Sequence, residues 1–529
     1  MKSQVGVRHQ RRILCVFPRY APSFGTFQHA YPLTDGVRAF MPPQGILVVA
    51  AYLPAQWQVR LIDENIRPAT REEFAWADAV FVSGMHVQRQ EILGIAARAR
   101  AAGKASVLGG PSVSACPEDY RAFDYLHLGE IGDATDALIR ALDDDPTPPP
   151  AQRRFATAAR LPLAEFPIPA YRLIDGRRYF LGSVQFSSGC PYRCEFCDIP
   201  ALYGRQPRLK QPAQVLAELD AMLDAGITGS VYFVDDNFIG NKKAARELLP
   251  HLTEWQERRG YPLQFSCEAT LNLALCPDIL AMMRQAYFIT VFCGIETPEL
   301  GALDAMRKSH NRVMPLLDAV ETINSYGLEV VSGIILGLDT DKPGTADALL
   351  DFIDESRIPL LTINLLQALP KTPLWDRLAR EGRLVHDDSL ESNVKFLMPY
   401  DDVVSAYKRC MKIAYEPSRL MARYLHQCEY THKNRVKVPV SPEMKSWKNI
   451  RRALIMLRNI FWKVGVLGSY RRVFWKFALG RLWHGDLEGL IGSVMIGHHL
   501  IMFARAASSG QQNASNYSLR LREAQVPAE

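Results

Sequence analysis

Short runs of aliphatic and β-branched residues, each closed by a glycine, proline or acidic turn, recur through the first quarter of the chain. They are Arg12 to Phe17, Gln58 to Asp63, Ala79 to Gly84, Ala105 to Gly109 and a weaker run at Tyr125 to Leu128. Helical patterns such as Gly45 to Leu53 and Val87 to Ala102 lie between them. This alternation predicts βαβ units and a parallel, doubly wound sheet. Ligands of such sheets sit beyond the carboxyl ends of the strands. Those ends carry Ser83-Gly84-Met85-His86, Gly109-Gly110-Pro111-Ser112 and Gly129-Glu130, turns small enough to let a flat ligand with a nucleotide tail pass.

The stretch Asp143 to Ala151, with three acids and four prolines, cannot propagate a helix or a central strand and reads as a linker. A second alternating region follows. Its strands are predicted at Ser183 to Ser188, Ser230 to Asp235, Leu263 to Ala269, Ile289 to Ile295, Leu328 to Leu336 and Leu361 to Ala368, with helices such as Pro212 to Ala225 and Lys242 to Arg259 between them. Six such repeats predict a partial barrel with its active site at the strand C-terminal mouth. From Asp401 the pattern turns helical. The expected organisation is therefore an α/β domain over 1–145, a linker over 146–175, a partial (β/α)6 barrel of the TIM type over 176–400, a helical domain over 401–507 and a flexible tail over 508–529.

Composition narrows the classes. A chain of 529 residues with 48% hydrophobic content can bury several cores. Its ten cysteines are too few for a disulfide framework, and seven of them are scattered, which fits a reducing cytoplasm. The apolar run Ile13 to Phe17 stops at Pro18, so no signal peptide is expected. No transmembrane helix is expected either, because Gly489 to Phe503 is shorter than the roughly 20 residues a bilayer requires and contains His498 and His499. The net charge of +6 is local: Lys445 to Arg481 holds ten Lys or Arg and no acid.

The remaining three cysteines stand together in Ser-Ser-Gly-Cys190-Pro-Tyr-Arg-Cys194-Glu-Phe-Cys197, after the first predicted barrel strand. Three thiolates on one short loop can hold three irons of a four-iron cluster and leave the fourth without a protein ligand. Structural zinc, the bland alternative, wants four protein ligands, and no second pair lies nearby. Asp235 and Asp236 are read as capping the following segment and ordering the barrel mouth.

The spacing Cys-x3-Cys-x2-Cys at a barrel strand end resembles the radical S-adenosylmethionine (SAM) superfamily. That resemblance implies a [4Fe-4S] cluster on Cys190, Cys194 and Cys197, with SAM chelating the open iron. It implies a place near the adenine for Phe196, and it makes Ser332-Gly333-Ile-Ile-Leu-Gly337 similar to the family's adenine-contact strand, so Gly333 and Gly337 are candidate contacts. Glu296, in Gly294-Ile-Glu296-Thr, is a candidate for the ribose or methionine; a helix cap is the alternative.

An α/β domain ahead of this barrel resembles the cobalamin-binding domain of class B radical methylases. By that resemblance Asp63, Ser83, Gly84, Gly109, Gly110, Ser112 and Gly129 are candidate cobalamin contacts. The Asp-x-His-x-x-Gly motif that supplies a lower histidine to cobalt elsewhere is absent. His29 and His86 are possible ligands, although a lone histidine at a strand end is more often structural.

Long phrases, among them Phe17-Pro-Arg-Tyr-Ala-Pro-Ser-Phe-Gly-Thr-Phe27, Asp236-Asn-Phe-Ile-Gly-Asn241 and Cys267-Glu-Ala-Thr-Leu-Asn272, are similar to the hopanoid 2-methyltransferases. The resemblance implies methylation of a saturated carbon at position 2 of a hopanoid ring A by way of methylcobalamin, and an electron donor such as flavodoxin or ferredoxin. Two rivals are a cobalamin-dependent radical enzyme that does not methylate, such as an oxidative cyclase, and a cobalamin and iron-sulfur sensor. Trp447, Ile450, Leu454, Leu457 and Phe461 form one apolar helical stripe flanked by Lys448, Arg451, Arg452 and Arg458. Such a helix either packs on the barrel or lies in an anionic membrane interface. Nucleic-acid binding is not expected, because these aromatics follow a helical face rather than an open stacking platform. A cytoplasmic protein, peripheral at the inner face of the membrane, is the expected location.

Overall fold

The computed structural model describes residues 5–438, 446–515 and 518. Most of the expected tail, and Lys445 in the basic stretch, lie outside the described residues. Two compact units are present: Met1–Ala21, Met41–Gly189 and Ile199–Thr228 make the first, and Pro22–Phe40, Cys190–Asp198 and Gly229–Glu529 the second.

The first unit holds a parallel sheet of β1 (Arg12–Phe17), β2 (Gln58–Asp63), β3 (Ala79–Ser83), β4 (Ala105–Gly109), β5 (Tyr125–Leu128) and β6 (Arg153–Ala156), in the order β2-β1-β3-β4-β5-β6. Val16, Val80, Val82, Leu108 and Leu126 from the strands pack with Ile92, Ile95, Ala96 and Ala99. The last four repeat at helical spacing along the helix Arg89–Ala101, so one face of that helix is apolar and covers the sheet. Burying each larger aliphatic contributes about 1.5–3 kcal/mol. The first five strands stand where the pattern places them. β6 falls within the stretch read as linker. It has no apolar run to announce it, being held at the edge by its pairing with β5 and by Arg153 over the rings of Tyr125 and Phe155.

The predicted strand Ser183 to Ser188 is divided into β7 (Gly182–Val184) and β8 (Ser187–Ser188), and β8 pairs antiparallel with β9 (Arg208–Leu209). Lys210, whose backbone N–H donates to Phe186 O, buries its ammonium 2.5 Å from Glu218 Oε1. The second unit continues the strand-helix series with β10 (Gly229–Phe233), β11 (Leu263–Glu268), β12 (Phe288–Phe292), β13 (Glu329–Leu336) and β14 (Leu361–Leu365), parallel neighbours in that sequence. Phe233, Phe238, Phe265 and Phe288 fill the interior, with ring centroids 5.3–5.4 Å apart. These five strands follow one another in the order that the barrel pattern predicts. The helix Lys242–Arg259 starts at Asn241, whose side chain accepts from Ala244 N, and stops at Gly260 with φ +71°. Asn241, not Asp235 or Asp236, is therefore the cap.

Helices Tyr400–Ala414, Pro417–Glu429, Trp447–Ile460, Arg471–Trp483 and Leu487–Ser508 complete the second unit, with a π-helical turn at Phe461–Val466. Leu487–Ser508 is, at 22 residues, longer than the apolar run suggested, and it is apolar enough to cross a membrane; 61% of its most apolar window is buried within the protein. It is the core helix of this region. The segment Pro22–Phe40 clusters with it: the rings of Phe24 and Phe503 lie 4.6 Å apart, and Phe24 O lies 3.0 Å from His499 Nε2.

Candidate active site

Gly189 leads into the cysteine loop at φ +99°, and a Cβ there would stand 2.9 Å from Gly204 O, so only glycine makes this exit. Cys190, Cys194 and Cys197 follow within one loop, all partly exposed and none in a disulfide, while six of the other seven cysteines are buried. Burial pushes the Cys190 and Cys194 thiols up, and the Lys308 ammonium acts in the opposite direction on both. Local packing fixes the loop. Asn272 Nδ2 donates to Tyr192 Oη at 2.7 Å, the Tyr192 ring lies 4.0 Å from that of His310, and Glu195 N donates to Met306 O. Glu195 also binds Arg377 at 2.7 Å, which in turn reaches Asp339 at 2.7 Å. Beside this lock lies a cavity of about 380 Å³ lined by Phe196, Leu338, Thr340, Leu366 and Leu374.

Glu296 caps no helix. It follows β12 at φ +66°, a left-handed conformation that costs a non-glycine residue about 1–3 kcal/mol. Its N–H donates to Gly333 O and its own carbonyl accepts from Ile335 N, which hold it against β13. Its carboxylate is buried 2.5 Å from Lys308 Nζ, and that ammonium sits 5.5 Å from the Phe196 ring centroid. Gly294 makes room for the pair, since a Cβ there would lie 2.3 Å from Glu296 Oε1 and 2.8 Å from Lys308 Nζ. The structure thus brings Phe196, Glu296 and Gly333 together. Gly337 is different: at φ +90°, with Phe396 where its Cβ would go, it is a turn residue packed under that ring.

The acidic side of the mouth gathers Asp235 and Asp236 after β10 and Glu268 at the end of β11. Tyr232 Oη donates to Glu268 Oε1 at 3.4 Å. Burial first, then the charge of Asp236, pushes the Glu268 carboxyl up to about 7. The folded protein therefore binds this proton more tightly than the unfolded chain, so the contribution of Glu268 to stability is complete below about pH 4.5 and is lost as pH rises through about 7. Thermal unfolding at about pH 5 and pH 8 checks this: Glu268→Gln should narrow the difference between the two, and an unchanged difference refutes it.

In the first unit the strand order reverses between β1 and β3, the switch point at which such sheets take ligands. Ser83, Gly84, Gly109, Gly110, Ser112 and Gly129 stand at the ends of β3, β4 and β5, on that side of the sheet. Gly110 has φ +96°, and a Cβ on it would fall 2.7 Å from Ser83 Oγ; one on Gly84 would fall 2.9 Å from Pro18 Cγ. Ser112 Oγ bonds Tyr120 Oη. Asp63 lies one strand further out and is committed within the protein: Asn65 N and Nδ2 donate to one oxygen and Tyr179 Oη to the other, while burial raises its carboxyl to about 6. His86 Nδ1 is 3.4 Å from Ser112 Oγ, and His86, Cys116 and Asp119 bring potential ligand atoms within 4.8 Å of one another. His29 belongs to the segment that clusters with the second unit, its ring 5.6 Å from that of His499. Sequence reading missed Lys308 and the Asn272–Tyr192 bond: Tyr192 lies within the cysteine motif, but its partner is 80 residues away, and no motif links Lys308 to the cysteines.

Family models match at residues 32–139 (B12 binding domain), 184–353 (Radical SAM superfamily) and 372–513 (Domain of unknown function). Along its full length the chain is 62% identical to the whole of the hopanoid C-2 methylase of Rhodopseudomonas palustris (strain TIE-1). The chain belongs to the cobalamin-dependent radical SAM methyltransferases. A second member, an uncharacterized methyltransferase of Synechocystis, is 36% identical over 486 residues, covering 89% of this chain and 88% of the relative. The solved cobalamin-dependent SAM radical enzyme OxsB shares the fold, with a TM-score of 0.59 at 16% identity over 93% of this chain and 79% of its own. The radical SAM methyltransferase TsrM of Kitasatospora setae does so with a TM-score of 0.54 at 18% identity over 70% and 76%.

The cofactors of this methyltransferase are a [4Fe-4S] cluster, SAM and cobalamin. The residues fit them. Three free, partly exposed thiols on one loop are a three-iron donor set, and the glycines at the ends of β3 and β4 keep side-chain volume out of the switch point.

Proposed function

We propose that this methyltransferase adds a methyl group to an unactivated sp³ carbon, position 2 of ring A of a hopanoid lipid. The observation that carries this reading is the 62% identity, over 100% of this chain and 100% of the relative, to a hopanoid C-2 methylase. When bound, the cofactors supply a hydrogen-abstracting radical and a transferable methyl group, so the protein has to position and exclude rather than act as acid or base. In this reading Cys190, Cys194 and Cys197 ligate the cluster, and Phe196, Glu296 and Gly333 face SAM, with the Lys308 ammonium fixing the Glu296 carboxylate. Gly337 shapes the turn beyond them. Ser83, Gly84, Gly109, Gly110, Ser112 and Gly129 take cobalamin, and Asp63 holds its turn from behind. The units assigned are 1–145 for cobalamin, 176–400 for the radical barrel and 401–507 for the helical domain. A flavodoxin or ferredoxin as electron donor and a cytoplasmic place at the inner membrane face belong to the same reading.

Expression in a hopanoid-producing host that lacks methylated hopanoids is the test. Mass spectrometry of its lipids should show hopanoids gaining one methyl group, carrying label when the host is fed methyl-labelled methionine. Hopanoids left unmethylated by an enzyme that does release 5′-deoxyadenosine would refute the substrate. An unlabelled, oxidised product would favour the cyclase-type rival.

A further inference from the structure

Ten of the eighteen large apolar side chains that stand exposed among the described residues lie between Trp447 and Leu487. The apolar stripe read from the sequence is packed only at its far end, where Leu457 and Phe461 are half-buried and Phe461 stacks on Trp475; Trp447 is 73% exposed, and Leu454 and Ile450 are exposed too. Along Trp447–Ile460 the exposed positions Trp447, Arg451, Leu454 and Arg458 follow at spacings of four, three and four, alternating apolar and cationic. Along Arg471–Trp483 the same spacing joins Arg472, Lys476, Leu479 and Trp483, the last 88% exposed, while Phe474, Phe477, Ala478 and Arg481 are buried on the other side. Between the two helices, Trp462 and Leu467 project from the π-helical turn. Arg481 is committed to Glu429 at 3.1 Å and Asp486 at 3.5 Å. Arg451, Arg458, Arg471, Arg472 and Lys476 make no ion pair among the described residues, and no acid occurs from Ser446 to Gly480.

We propose that this surface docks on an anionic lipid bilayer, with Trp447, Trp462, Leu467, Leu479 and Trp483 as apolar anchors and the unpaired arginines and lysine at the headgroups. Charge complementarity commits it to that occupant. A neutral surface would offer nothing to the two cations that each exposed line carries, and bulky anchors sharing those lines with cations match an interface plane rather than a base-stacking groove. The inference deepens the membrane-side reading above and rests on it, independently of the choice of hopanoid.

Sedimentation of the full-length protein with vesicles decides it, using phosphatidylcholine alone or with about a third phosphatidylglycerol, at low and high salt. Binding should need the anionic lipid and weaken with salt. Arg472→Gln with Lys476→Gln should lower the partition coefficient about thirtyfold, since each cation near such a surface is worth about 1 kcal/mol. Leu479→Ser with Trp483→Ser should lower it at both salt concentrations. All four side chains are exposed, so far-ultraviolet circular dichroism should be unchanged. Equal recovery with neutral and anionic vesicles, or variants that bind like the parent, would overturn the proposal. Detergent-dispersed hopanoid separates the two readings. Methylation there without vesicle binding sinks this inference alone, and vesicle binding without methylation sinks only the substrate.

Discussion

Replacing any one of Cys190, Cys194 or Cys197 with alanine is expected to reduce SAM cleavage to background and to deplete iron from the anaerobically reconstituted protein. These thiols are the only three in the sequence close enough to share one cluster. Two remaining thiolates would leave a second iron without a protein ligand, and a metal site missing a ligand loses binding energy that no neighbouring group restores. Cys116→Ala is the matched control, because Cys116 is the only other partly exposed cysteine and lies in the first unit. It should retain full iron and cleavage. A triad variant with unchanged iron content and 5′-deoxyadenosine yield removes that cysteine from the ligand set.

Lys308→Met should cost about 3–5 kcal/mol of stability, because it leaves the Glu296 carboxylate buried and unpaired. The two side chains are only 8% and 10% exposed and meet at 2.5 Å, so water cannot take over the lost partner. Burial works against the ammonium, yet Glu296 and the Cys194 thiol outweigh it and hold the Lys308 pKa above its ordinary value. The double variant Lys308→Met with Glu296→Gln should regain most of the loss, since a neutral amide needs no counter-charge. Thermal unfolding of the three proteins measures the coupling. SAM binding by calorimetry supplies the second readout: both variants should bind weakly if the pair faces the cofactor, whereas a purely structural pair would leave affinity intact in the double variant. A loss below about 1 kcal/mol in the single variant would mean that solvent reaches the pair.

Strand ends were legible wherever an apolar run met a small turn, as at Val80 to Gly84 and Val107 to Ser112. The cysteines were legible because their ligand geometry needs only eight consecutive residues. Glu296 was singled out, but its partner was not: Lys308 comes twelve residues later, after the helix Leu300–Ala305, and only the left-handed turn at Glu296 aims the two at each other. The division of Ser183 to Ser188 into β7 and β8 was invisible because it depends on pairing with Arg208–Leu209. That the open side of Gly337 faces the Phe396 ring was likewise invisible, because Phe396 comes 59 residues later.

The sequence by itself determined the alternation of strands and helices, the cluster loop and the basic, aromatic character of the region after Ser446, because each is written in near-neighbour spacing and composition. Tertiary structure alone decided which unit the segment Pro22–Phe40 joins, which carboxylate the buried Lys308 neutralises and which face of each C-terminal helix is left to solvent. These depend on groups far apart in the chain. A helical period shows that a face is apolar, but burial depends on whether another element comes to cover it, and over Trp447, Leu454 and Trp483 none of the described residues does.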